Sequence, residues 1–172
     1  LPPVHSYRPS NIDVQHMSIA LRIDWERKQV VGTSEISFRP TASIDVVRLD
    51  AAWLTIAAIT LRDGTPLKYA YDGSASDGAL AISLDRTYQP GDALTVRVGY
   101  HTNWLNRSDP NNIWGSFGKG LRFFEPTTTV PTKRRQMWSM GEPEGNRYWF
   151  PSVDSPNDVR TTDLTATVER PL

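Results

Sequence analysis

The side chains best suited to acid–base or metal chemistry are few and scattered in this sequence. Three histidines, His5, His16 and His101, lie in separate segments. Each reads as a surface or strand histidine, because a three-histidine metal centre would need a convergence that the spacing does not announce. The chain has no cysteine, which removes disulfides, thiolate nucleophiles and sulfur ligands together. A hydrolytic zinc centre of the His-Glu-x-x-His kind needs two imidazoles one helical turn apart with a glutamate beside the first. No such run occurs.

Other reactive patterns fare no better. No Gly-x-Ser-x-Gly elbow is present to hold a serine nucleophile on a strained turn. Gly115-Ser116-Phe117-Gly118-Lys119-Gly120 combines glycines with a lysine, but it lacks the Walker spacing and the Ser or Thr that would bind magnesium, so it reads as a flexible loop. Six tryptophans and six tyrosines could stack on sugars, which keeps a carbohydrate-binding sandwich open beside the plainer roles of core and loop anchor.

One segment stands apart, Gln136 to Asp158, where polar groups are set closely among large aromatics. Arg147 and Asp154 flank Phe150-Pro151, and a guanidinium and a carboxylate so placed are expected to pair and pin the loop. On pattern alone Glu142 is a loop carboxylate.

The elements that must carry this segment are strands. Met17, Ile19, Leu21 and Ile23 alternate with polar or small residues, and the same period of two returns at Thr33–Phe38, Ile44–Leu49, Leu54–Leu61, Leu67–Tyr71, Leu80–Leu84 and Leu94–Tyr100. Asp63-Gly64, Asp72-Gly73, Asp77-Gly78 and Pro90-Gly91 fall between these runs and suit tight turns between antiparallel strands. No stretch has sustained helical periodicity, so the expected fold is all-β, an antiparallel sandwich of two sheets. From His101 to Arg135 the composition turns to Asn, Gly, Pro and Thr around Trp104, Trp114, Phe117, Phe123 and Phe124, which predicts a long loop-rich excursion. A last strand is expected over Thr162–Glu169 with Leu164, Ala166 and Val168 facing inward.

Lysine plus arginine equal aspartate plus glutamate at 19 each, so no net field draws the 172-residue chain to nucleic acid or to an anionic membrane. Lys133-Arg134-Arg135 is the single charge run and reads as a solvated loop. No apolar run approaches the roughly 20 residues of a membrane span, and Leu1-Pro2-Pro3 does not resemble a signal peptide, although a removed leader is compatible with a first residue other than Met. Cytosol and periplasm both remain open as compartments.

The run Glu142-Pro143, Arg147, Phe150-Pro151, Asp154 and Pro156 resembles the signature of the aminopeptidase N family of zinc metallopeptidases, which includes leukotriene hydrolase-type members. That signature has Gln-x-Glu followed by Pro or Ala, then variable positions with an arginine, then Phe-Pro-Cys-x-Asp-x-Pro. The likeness extends to Asp13–Leu21, Val31-Gly32, Leu49-Asp50 and Pro90-Gly91 leading into Val98-Gly99-Tyr100.

The resemblance implies a saddle-like N-terminal β domain over residues 1–172, packed in the complete protein on a thermolysin-like catalytic domain that is absent here. Zinc, held by His-Glu-x-x-His and a downstream glutamate, would belong to that partner domain. It further implies that Glu142 lies by the free amino terminus of a peptide substrate, with Met140 and Gly141 beside it. An α-ammonium needs a charge-assisted acceptor, a contact of about 1.5–3 kcal/mol. Met140 replaces the family's glutamine and makes the first side-chain pocket apolar and flexible, and Ser152 replaces a cysteine in packing. The Met140 change also admits a member that has lost catalysis and serves as a protein-interaction scaffold.

Overall fold

The structure is a computed structural model, and it describes residues 10–73, 78–103, 120–141 and 144–169. Alternation of apolar and polar residues, interrupted at three bulges, builds the larger sheet and its cover. In β1 (Ile12–Asp24) the buried residues run Ile12, Val14 and then Met17, Ile19, Leu21, Ile23, a change of phase made possible by a bulge between Val14 and His16. β4 (Leu54–Leu61) turns inward at Leu54, Ile56 and then Ile59, with its bulge between Ile56 and Ala58. β3 (Ile44–Asp50) does the same between Ile44 and Val46, so that Val47 and Leu49 are buried.

With β2 (Gln29–Pro40), β5 (Lys68–Ala70), β6 (Ala79–Tyr88), β7 (Leu94–Thr102), β8 (Gly120–Phe124), β9 (Gln136–Met140) and β10 (Thr161–Thr167), the strands form three sheets. The largest has the order β10-β1-β2-β7-β4, the second is β3-β6-β5, and β8 and β9 pair as a hairpin. Val30, Ile36, Phe38, Val96 and Val98 of the large sheet share one buried cluster with Val47, Leu49, Leu80 and Ile82 of the second. Among the described residues the one helical turn is a 3-10 turn at Asn146–Tyr148. The all-β sandwich read from the sequence is therefore observed, with the β8–β9 pair as a third, smaller sheet beside the two larger ones.

A close approach fixes the middle of the large sheet. Tyr100 lies opposite Gly32 in the β2–β7 register, and a Cβ at Gly32 would sit 2.8 Å from the Tyr100 phenol oxygen. Burial pushes the Tyr100 phenol far above its ordinary pKa.

The inward placement expected of Leu164, Ala166 and Val168 is corrected. β10 pairs with β1 in parallel, with Ile19 opposite Leu164 and Leu21 opposite Ala166. Leu164 and Ala166 share the inner face of the sheet with Ile19 and Leu21, yet all of β10 is exposed, Leu164 at 55% and the following Val168 at 37%. No described element forms a second layer over the β10 edge. The stretch read as an excursion over 101–135 also contains the end of β7 and all of β8. The Gly-rich run up to Lys119, His5, Trp104, Trp114 and Phe117 lie outside the described residues.

Candidate functional site: the β8–β9 hairpin and the arch that follows it

The hairpin has one dry face and one open face. Leu121 and Phe123 are buried and Met137 packs against the core. The register sets Arg122 opposite Trp138 and Gly120 opposite Met140, so Arg122, Phe124, Gln136, Trp138 and Met140 share the other face. Trp138 is 56% exposed and Met140 41%.

The dry face is tied to the β1–β2 turn. Trp25 meets Phe123 edge-on with ring centroids 5.3 Å apart, and the Lys28 ammonium lies 4.6 Å from the centroid of Trp25. Lys28 Nζ and Trp25 Nε1 both donate to Oε1 of Glu125. The hydrogen bonds from Lys28 and then Trp25 hold the Glu125 carboxyl below its ordinary range.

Beyond β9 the chain closes a turn too tight for a side chain at Gly145. Gly145 N–H donates to Gly141 C=O at 2.7 Å, a Cβ at Gly145 would lie 2.6 Å from the Met140 carbonyl oxygen, and one at Gly141 would lie 2.5 Å from Asn146 Oδ1. At the root of the hairpin Gly120 takes φ +70°, and a Cβ there would meet Tyr148 Cβ at 2.9 Å. Glu142 and Pro143, which this turn spans, lie outside the described residues.

The arch from Asn146 to Asp158 is held to the sandwich by one charged node. Arg147 N–H and Nε donate to Asp154 Oδ2 at 3.0 and 3.2 Å, and Nη2 reaches the Asp154 carbonyl at 3.4 Å. The same guanidinium lies 3.4 Å from Glu144 and 3.7 Å from Asp50. Asp50 closes the circle, since its Oδ2 accepts the Asp154 N–H at 2.9 Å and its backbone exchanges two hydrogen bonds with Ser152, at 2.7 and 3.1 Å. Ala52 N–H donates to the Arg147 carbonyl at 2.8 Å. The pairing expected of Arg147 and Asp154 is present, and it recruits Asp50 from the end of β3.

This node lets the arch act as part of the second layer. Trp149, Phe150 and Val153 join the main core cluster, and Ser34 Oγ on β2 donates to the Pro151 carbonyl at 3.1 Å. Ser152 is fully buried, and its Oγ has no hydrogen-bond partner among the described residues. Pro156 is exposed, in a turn closed by Asp158 N–H donating to Ser155 C=O.

The structure thus gathers Met140, Gly141, Arg147, Phe150, Pro151 and Asp154 along one continuous path. His16 and His101 remain apart on β1 and β7. His16 Nδ1 is 2.8 Å from Thr161 Oγ1, and its Nε2 is 3.5 Å from Asp163. Among the described residues no three His, Asp or Glu side chains are grouped to hold a metal ion, and no helix is long and apolar enough to cross a membrane. Trp149 is buried while Trp138 is exposed, so the two do not share a stacking platform. Sequence reading missed Asp50, Glu144 and the Trp25–Lys28–Glu125 tie: Asp50 and Glu125 meet partners distant in the chain, which leave no local pattern, whereas Glu144 stands three positions before Arg147.

Residues 10–172 match the model of the family described as Peptidase M1 N-terminal domain. Among solved structures, a two-domain M1 zinc metallopeptidase bound to L-arginine is 20% identical, with a TM-score of 0.70 over 93% of this chain and 33% of that one. The M1 zinc metallopeptidase from Deinococcus radiodurans is 19% identical, with a TM-score of 0.67 over 92% of this chain and 33% of that one. Native yeast LTA4 hydrolase is 16% identical, with a TM-score of 0.72 over 94% and 23%. The chain therefore spans a third or less of these neighbours. Comparison with curated proteins finds no match.

Proposed function

Because the chain belongs to the Peptidase M1 N-terminal domain family, we propose that it is the noncatalytic domain of a zinc metallo-aminopeptidase, which removes residues from the amino termini of peptides. In this reading residues 1–172 form one N-terminal β domain. It packs on a catalytic domain that supplies zinc, general base and oxyanion stabilisation. The described residues of this chain do not fit a zinc site, so no chemical step is assigned to them. The uncovered apolar side chains Val159, Leu164 and Val168 offer that partner domain a surface to bury.

Glu142 is proposed as the acceptor for the substrate's free α-ammonium, with Met140 and Gly141 at its side. The supporting observation is the mount. The ends of the short turn that carries Glu142 are fixed by the Gly145 to Gly141 hydrogen bond, and Arg147 reaches from Glu144 in the turn to Asp50 in the sandwich. Among the structural neighbours, an M1 zinc metallopeptidase from Deinococcus radiodurans is bound to a Tyr-Ser-Ala substrate.

The test joins this domain to its catalytic partner and compares unblocked with N-acetylated peptides. Glu142→Ala is expected to weaken binding of the unblocked peptide by about tenfold or more, the equivalent of a lost charge-assisted hydrogen bond. Chain 1–172 alone should neither hydrolyse aminoacyl-arylamides nor take up zinc stoichiometrically. An unchanged preference for free amino termini in Glu142→Ala, or activity in the isolated chain, would sink this reading.

A further inference from the structure

The open face of the β8–β9 hairpin concentrates positive charge on aromatic rings without a neutralising carboxylate among the described residues. The Arg122 guanidinium lies 4.6 Å from the Phe124 ring centroid, and the Lys133 ammonium lies 4.7 Å from the same centroid. Two cations sharing one ring repel each other, and neither forms an ion pair with a described residue. The nearby acids are already engaged, Glu125 by Lys28 and Trp25 and Glu144 by Arg147. Lys133-Arg134-Arg135 is thus only partly the solvated run that its sequence suggests, since Lys133 sits on Phe124 and Arg135 lies 5.7 Å from the Trp25 centroid.

Trp138 completes the surface. Its ring contacts Phe124 at 5.6 Å between centroids, it stands across the register from Arg122, and it is the most exposed aromatic side chain of the hairpin at 56%. An exposed indole beside unpaired cations matches a ligand that carries carboxylates next to an apolar side chain: the carboxylates relieve the repulsion between the cations, and the apolar group covers the indole.

We propose that this face docks an acidic polypeptide segment, with its carboxylates on Arg122 and Lys133 and an apolar side chain on Trp138. A single-stranded nucleic acid fits less well. It would require successive free rings for base stacking, and here Phe124 is already covered by two cations, leaving Trp138 alone.

The experiment titrates the full chain with a peptide of glutamates and leucines blocked at both ends, so that no free amino terminus takes part. A lysine-for-glutamate counterpart and oligo(dT) serve as comparisons, and binding is followed by calorimetry. The acidic peptide should bind saturably, and more weakly as salt is raised. The lysine peptide should not bind. Arg122→Glu with Lys133→Glu should cost about tenfold or more in affinity, and Trp138→Ala should weaken binding while the thermal midpoint stays that of the parent. Absence of saturable binding, equal binding of the lysine peptide, tighter binding of oligo(dT), or unchanged affinity in the charge-reversed variant would each overturn the proposal.

Discussion

One carboxylate oxygen of Asp154 receives both the backbone N–H and the Nε–H of Arg147, at 3.0 and 3.2 Å. Asp154 therefore fixes the course of the chain at the start of the 3-10 turn as well as the direction of the guanidinium. The Asp154 side chain is only 3% exposed and that of Arg147 16%, so the pair is largely withdrawn from water.

Removing one member should strand the other. Arg147→Met is expected to destabilise the chain by about 3 kcal/mol, because a buried carboxylate loses its partner. Asp154→Asn, which keeps an acceptor but not the charge, should cost about 1–2 kcal/mol. Urea unfolding midpoints at unchanged slope measure both, and a loss no larger for Arg147→Met than for Asp154→Asn would contradict the node as described.

Ser152 invites the opposite change. Its hydroxyl is buried without a partner among the described residues, and an unsatisfied buried polar group costs about 1–3 kcal/mol. Ser152→Cys keeps the volume and replaces the hydroxyl with a weakly polar thiol. The variant should melt above the parent, with a gain of about 1 kcal/mol. A lower midpoint would show that the hydroxyl is satisfied in solution.

The tie at Glu125 should respond to acid. Lys28 and then Trp25 hold the folded carboxyl below its reference value of 4.5, so the folded state binds fewer protons than the unfolded one in that range. The stabilisation is complete above the reference value and is lost as pH falls through the depressed folded value. Hydrogen exchange at the β1–β2 turn should quicken in that window. In Glu125→Gln the turn should exchange faster at neutral pH and lose this acid response, and an identical acid response in the variant would refute the assignment.

What was legible follows from the reach of each interaction. Strands with a covered face announce themselves by alternation, and the break from Ile56 to Ile59 marks a bulge once it is read as a change of phase. The hairpin was hidden because Phe123 and Phe124 are adjacent aromatics that point to opposite faces. Leu164 has the right phase for the inner face, but exposure depends on what is stacked above it, which no strand encodes for itself. Arg147 and Asp154, seven positions apart, could be paired from the sequence, while Asp50, 104 positions from Asp154, could not. The proposed role of Glu142 rests on resemblance and on the described residues that flank it in sequence.

The parallel pairing of β10 with β1 sets an order of events during synthesis. His16 and its neighbour Thr161 are 145 positions apart. At ribosomal rates of about 5–20 residues per second, this leaves β1 without that partner for roughly seven to thirty seconds. Hairpin pairing with β2 can protect one side of β1 at once, but the other side is an open edge able to recruit a foreign strand until β10 has emerged. β1 is thus enclosed on both sides only once β10 has been made, and a nascent chain stalled before Thr161 leaves that edge open to aggregation.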